Sequence, residues 1–239
     1  MPSPAVTTSD LRHRGPDAPT GGRVPWVVGV SGASGTPYAA AVLRGLLAAE
    51  LPVDLVLSRA ARLTLLDETG IAWHDAAWQQ PLERWLSAPL GAPVPDSAAA
   101  VETLVAVHAP GNLAAPTSSG SYPTRGMIVV PASTACLAGI ALGLSKDLLQ
   151  RSADVTLKEG RSLIVVPREM PYTGATLRHM LTLHDAGAVI APASPGFYAG
   201  ARTAADLVDF VAGRVLDAAG VEHALFRRWS GELGHARQT

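Results

Sequence analysis

Short apolar runs alternate along this chain with longer stretches in which apolar residues return every three or four positions. Trp26–Val28 with Val30, Val53–Leu57, Gly126–Val130, Leu163–Val166 and Ala188–Ala191 have the length and composition of buried strands. Between them, Tyr38–Glu50 sets Val42, Leu43, Leu46 and Leu47 on one helical stripe, and Arg59–Glu68 does the same with Ala61, Leu65 and Leu66. The spacing predicts further helices over Lys146–Glu159, Thr173–Ala186, Thr203–Ala219 and Val221–Trp229, and Val101–Val107 reads as an additional or edge strand. Strands of four to six residues alternating with helices predict an α/β fold, a parallel sheet covered on both faces in three α/β/α layers.

Two segments break that rhythm. Residues 1–23 are rich in Pro, Gly, Ser and Thr without any period, which predicts a disordered tail whose loss is tolerated. From Ile71 to Ala100, Trp73, Trp78 and Trp85 are irregularly spaced among Pro81, Pro89, Pro93 and Pro95. A short helix around Pro81–Leu86 packed on the surface is expected there, with a functional lid as the alternative. The expected organisation is a single domain over 24–239 with an insert around 72–100.

The 239 residues carry a formal charge of -1, 48% hydrophobic and 16% charged side chains, enough for one sizeable core and without a basic surplus for nucleic acid. An anionic small molecule needs only two or three well-placed cations, so a local basic site stays open. The lone Cys136 excludes an internal disulfide framework, and no apolar run reaches membrane-spanning length. With no hydrophobic leader in the first 23 residues, the expected location is cytoplasmic, without a membrane partner.

In a parallel sheet, ligands sit beyond the carboxyl ends of the strands, which here carry SGASG, Ser58, PAST, PREMP and PASPGFY. SGASG differs from the dinucleotide fingerprint, but its small residues let a ligand approach, and the helix start behind it favours an anion. Thr36 is the expected N-cap, with Pro37 at the first helical position. Ser58 and Ser133–Thr134 open two more helices where hydroxyls and N–H groups can hold a phosphate or a polar ring. Arg168–Glu169 and Lys158 are either surface ion pairs or a buried set in which a carboxylate exchanges protons while cations bind phosphate. The seven histidines form neither HExxH nor a Cys/His cluster, so no metal is expected.

GVSGASGTPYA, SRAARLTLLDET, SSGSYPTRGMIVVPAS, LLQRSADVTLKEGRSLIVVPRE and APASPGFY, in this order, closely resemble the flavin prenyltransferase family of the UbiX type, from about Val24 to Trp229. The resemblance implies a flavodoxin-like, Rossmann-type flavoprotein fold and transfer of the dimethylallyl group of dimethylallyl phosphate to N5 and C6 of reduced FMN, without a metal. The product, prenylated FMN, would serve a UbiD-type decarboxylase, and the assembly implied is a homo-dodecamer with sites at subunit interfaces. Carried over by motif, Gly32, Ala33 and Ser34 lie against the flavin, while Ser58, Ser133, Thr134, Ala135, Cys136 and Arg151 complete its binding set. Glu68 matches an acidic residue near the flavin N5, and Lys158 and Glu169 match the active-site lysine and carboxylate. With Ser34 these form the implied catalytic group, and Lys158, Arg168, Tyr198 and Arg214 match residues that grip the prenyl phosphate.

Asp67, the length of the segment Trp73–Val101 and Gly160 depart from the family pattern without removing a matched group. PASTAC also resembles a motif of related cysteinyl-peptide and phosphopantothenoylcysteine decarboxylases, but those carry a Pro-x-Met-Asn motif where this chain has PREMPYTG. A non-enzymatic FMN-binding protein would not need Lys158, Glu169 and Arg214 together. No NAD(P)H fingerprint is present, so the flavin must be reduced elsewhere.

Overall fold

The computed structural model describes residues 23–87, 97–229 and Gly231. The tail expected over 1–23 lies outside these residues except for Arg23, as do residues 88–96 of the insert. Six strands form one sheet: β1 (Trp26–Val30), β2 (Val53–Leu57), β3 (Val105–His108), β4 (Gly126–Ala132), β5 (Ser162–Pro167) and β6 (Val189–Ile190). Their order is β3-β2-β1-β4-β5-β6, and every pairing is parallel. The chain therefore starts in the middle of the sheet, winds out to β3 at one edge, and returns through β4 to the other.

Period-two alternation sorts the strand side chains between two cores. Val28, Val30, Leu55, Leu57, Ile128 and Ile164 face α1 (Thr36–Ala48), α2 (Arg59–Thr69), α3 (Gln79–Leu86) and α8 (Ala204–Ala218). Val27, Val56, Met127, Val129, Leu163 and Val165 face α5 (Thr134–Ala141), α6 (Leu148–Lys158) and α7 (Gly174–Asp185). The three-layer α/β/α arrangement follows. Gly45 of α1 lies against Leu216 of α8, where a Cβ would collide with the leucine side chain, so the two helices pack closely.

Several local expectations are corrected. Residues 101–104 end a helix, α4 (Ser97–Leu104), and the strand begins only at Val105, although it is indeed an edge strand. Val221–Trp229 is not helical: Gly220 takes φ 67°, and the segment folds back so that His223 and Arg228 meet Asp217 of α8. The short surface-packed helix expected around Pro81–Leu86 is present as α3, with Gln79, Gln80 and Arg84 exposed and its inner face buried. Leu82, Trp85 and Leu86 are all buried in the same core as α1, and the Arg44 guanidinium of α1 donates to the Leu86 carbonyl oxygen at 3.0 Å.

Trp85 tests whether α3 is a core element. Trp85→Ala should lower unfolding free energy by about 3–5 kcal/mol, the usual cost of emptying a large aromatic site. Trp85→Phe should cost much less, because the indole N–H has no hydrogen-bond partner to lose. Denaturant unfolding measures both, and an unchanged midpoint in Trp85→Ala would mean that α3 is a lid.

Candidate active site

All six carboxyl strand ends share one rim, and a crevice of about 500 Å³ opens there between β1, β2 and β4. Its lining includes Ser31, Gly32, Ser58, Arg59, Ala60, Ser133, Ala135, Cys136, Lys146, Asp147 and Gln150. That volume suits a cofactor-sized ligand. Ser31 holds the crevice floor together: its hydroxyl donates to the Pro131 carbonyl at 2.8 Å and accepts from the Ser133 N–H at 2.7 Å, tying the end of β1 to that of β4.

Three helices start at this crevice. Ser58 caps α2 by accepting from Ala61 N–H, Ser133 caps α5 by accepting from Cys136 N–H, and Asp147 caps α6 by accepting from Gln150 N–H. The α6 start is met by the Asp147 carboxylate, while the hydroxyl-capped starts of α2 and α5, with Arg59 and Lys146, form an electropositive setting for an anionic group. Neither cation has an ion-pair partner among the described residues. The donors, cations and volume fit a flavin mononucleotide. Gly32 serves this wall through packing, since a Cβ there would overlap Ala60 at the start of α2. Burial pushes the Cys136 thiol up to about 12, so it is a neutral wall group.

The fourth helix start, that of α1, is already filled. Gly35, at φ 111°, is the N-cap, and Thr36 is the first helical residue, so the expected Thr36 cap is not formed. The capping group comes instead from α2. Glu68 accepts from Gly35 N–H at 2.8 Å, Thr36 N–H at 2.8 Å and the Thr36 hydroxyl at 2.6 Å. A carboxylate thus occupies the position where the sequence led us to expect a phosphate. Burial alone would raise the Glu68 pKa, but hydrogen bonds from the Thr36 and Ser34 hydroxyls and the two amides outweigh it and hold Glu68 below the usual carboxylate range.

Arg168, just past β5, reaches this corner and donates from Nε to the Ser34 carbonyl oxygen at 3.1 Å. Burial raises the Tyr38 pKa against the nearby Arg168 charge. Tyr172 is raised by burial and by Glu169, with Arg168 again opposing, so Arg168, Glu169 and Tyr172 share one electrostatic neighbourhood. Tyr198 stands on the loop after β6, edge-on to Phe210 at 5.4 Å and to Trp229 at 6.0 Å. Ser34, Glu68, Arg168, Glu169 and Tyr198 are therefore on one rim. Ala33 and Thr134 are chain neighbours of crevice-lining residues without lining it themselves.

Lys158, Arg151 and Arg214 are elsewhere. Lys158 ends α6 on the amino side of β5 and Arg168 follows its carboxyl end, so the six residues of Ser162–Pro167 hold them about 20 Å apart. Lys158 pairs there with Glu159. Arg151 is one turn into α6, donating to the Ser118 carbonyl at 3.1 Å and to Asp154 at 2.9 Å. Arg214 binds Asp217 at 2.7 Å, two residues from the Leu216 that rests on Gly45. Gly45 is itself about 14 Å along α1 from the Glu68 cap. Lys158 and Arg214 thus cannot join Arg168 on one phosphate within a single chain. Sequence reading missed Ser31, Arg59, Lys146 and Gln150; Arg59 and Lys146 could have been found from their places beside the caps Ser58 and Asp147.

A family model described as Flavoprotein matches residues 18–216. A flavin prenyltransferase UbiX from Streptomyces coelicolor is 66% identical over 216 residues, 90% of this chain and 100% of that one. The chain belongs to the flavin prenyltransferase UbiX family. Another family member, AnUbiX, was crystallised in complex with FMN and dimethylallyl pyrophosphate, and its structure matches with TM-score 0.74 and 37% identity over 88% of this chain and 99% of that one. A dodecameric FMN-dependent UbiX-like decarboxylase from Escherichia coli O157:H7 matches with TM-score 0.73 and 37% identity, over 87% of this chain and 100% of that one. The FMN-dependent cysteine decarboxylase TvaF, at 13% identity and TM-score 0.51, shares the fold alone. Among the described residues no group of His, Cys, Asp and Glu could hold a metal ion, and no helix is long and apolar enough to cross a membrane.

The Glu68 cap gives a pH test. Because its folded pKa lies below the unfolded value of about 4.3, its stabilisation is present above that value and is lost as pH falls through the folded pKa. The melting temperature of the wild type should exceed that of Glu68→Gln at neutral pH, and the gap should close on acidification below about pH 4. A gap independent of pH would mean that the charge does not cap α1.

Proposed function

We propose that the protein transfers a dimethylallyl group from dimethylallyl phosphate to reduced FMN, releasing phosphate and yielding prenylated FMN. The observation that carries this reading is 66% identity over the full length of a flavin prenyltransferase. FMN is held by the strand-end crevice, with Ser58, Arg59, Ser133 and Lys146 nearest the helix starts that favour its phosphate. Bound there in reduced form, the flavin supplies the electron-rich N5 and C6 that accept the prenyl group.

The chain's own residues bind, orient and move protons. Glu68 remains ionised across the start of α1, which suits it to stabilise positive charge beside the flavin edge and leaves proton transfer to the Glu169 carboxylate. Ser34, whose carbonyl holds Arg168, and Glu169 flank the same corner. Arg168 and Tyr198 bind the prenyl phosphate from this copy, and Lys158 and Arg214 reach it from neighbouring copies, offsetting the charge that builds as the carbon–oxygen bond breaks. Such shared sites require a symmetric homo-oligomer, and a dodecamer agrees with the assembly of the Escherichia coli relative. The product serves a UbiD-type decarboxylase in the cytoplasm. Removal of residues 1–23 should leave the activity intact.

The test is anaerobic incubation of the protein with reduced FMN and either dimethylallyl phosphate or its pyrophosphate, followed by mass analysis of the released flavin. A flavin heavier by one isoprene unit with the monophosphate is expected. Unmodified flavin with both donors would overturn the reading. Arg214→Ala should keep FMN but weaken the response to dimethylallyl phosphate by about 1.5–3 kcal/mol, the worth of a charge-assisted phosphate contact. Loss of FMN with an unchanged prenyl-phosphate response would remove Arg214 from the grip.

A further inference from the structure

Asp54 is a carboxylate in the interior of β2, only 3% exposed, and none of the chemistry above uses it. A buried carboxylate is costly unless its oxygens are hydrogen-bonded. Both are: Oδ1 is 2.7 Å from His108 Nε2 at the end of β3, and Oδ2 accepts from the Tyr122 hydroxyl at 3.1 Å. Burial, with the Asp54 charge and hydrogen bond, pushes the Tyr122 phenol up to about 12, so it stays a donor. Tyr122 is thus pinned to the sheet.

Tyr122 also belongs to the loop that follows the 3-10 turn Pro116–Ser118. The backbone of this stretch is bound by the cations of α6 and the residues just after it. Arg151 donates to the Ser118 carbonyl, and Arg161 donates to the carbonyls of Gly120 at 2.7 Å and Tyr122 at 2.8 Å. At its tip, Gly120 abuts the Lys158–Glu159 pair so closely that a Cβ would come within 2.6 Å of Lys158 Nζ and would overlap the Glu159 carboxylate. Only a glycine leaves those two side chains where they are.

We propose that the Gly120–Tyr122 turn, pinned by Tyr122 to Asp54, is the seat that fixes the Lys158 ammonium in position to meet prenyl phosphate in a neighbouring copy. Asp54, Gly120 and Tyr122 are then positioning residues for a reaction whose atoms lie on another chain's rim. The inference rests on the role given to Lys158 above.

Gly120→Ala and Tyr122→Phe test it in the full-length protein. The atoms that Gly120→Ala displaces are the ends of flexible side chains, and Tyr122→Phe removes one hydroxyl, so both variants should fold. With reduced FMN saturating and dimethylallyl phosphate titrated, each should raise KM about five-fold or more while kcat and FMN affinity stay within about two-fold. In a Lys158→Ala background neither should raise KM further, because residues acting through one side chain are not additive. An unchanged KM in both variants, or a rise that multiplies with that of Lys158→Ala, would overturn the proposal while leaving the transferase reading in place. A wild type that forms no prenylated flavin would overturn both.

Discussion

A parallel sheet sorts its connections onto two rims separated by the length of a strand, and that separation governs how this protein can work. Every loop that leaves a carboxyl strand end here gathers on one rim, which therefore collects the crevice, Glu68, Arg168 and Tyr198. Every helix that runs back delivers its last residues to the other rim, and Lys158 rides there at the end of α6. The two ends of β5 cannot be brought together without unfolding the sheet. A phosphate grip that uses residues from both rims has to be built from more than one copy of the chain.

On the crevice rim, the contest is among helix starts. Among the helices that begin there, α1 and α6 start on the chain's own carboxylates, Glu68 and Asp147. Glu68 makes its hydrogen bonds to Gly35 and Thr36, which neutralises the α1 start as Asp147 does that of α6, and directs an incoming anion toward α2 and α5. The same contacts keep Glu68 charged, so the residue that shapes the corner also places a negative charge on this rim. Arg168 balances it from the far side of Ser34.

Much of this could be read from the residues, because strands buried on both faces show as unbroken apolar runs and because Ser58, Ser133 and Thr203 cap the helices they precede. What escaped was set by contacts between distant segments. The α1 cap could not be found locally, since its acceptor lies 32 residues away in α2. Val221–Trp229 has helical spacing, but Gly220 and the shared Asp217 carboxylate fold it back instead. VETLVAV is apolar but for Glu102 and Thr103, and its first half continues α4, which packs against α3. The places of Lys158 and Arg168 on opposite rims were implicit in their positions before and after β5. Motif resemblance grouped them by role, without distinguishing one chain from its neighbour.

The most direct test of sites shared between copies is a hybrid of two defective chains. Glu68→Gln and Lys158→Ala variants carrying different tags can be co-expressed and purified through both tags, and prenylated FMN formation then measured against each variant alone. If Glu68 and Lys158 act on one substrate from different copies, random mixing leaves each group intact in half of the sites, and the hybrid should recover about one quarter of wild-type activity. Activity no higher than that of the two parent variants would place both residues in the same chain's site and contradict the account.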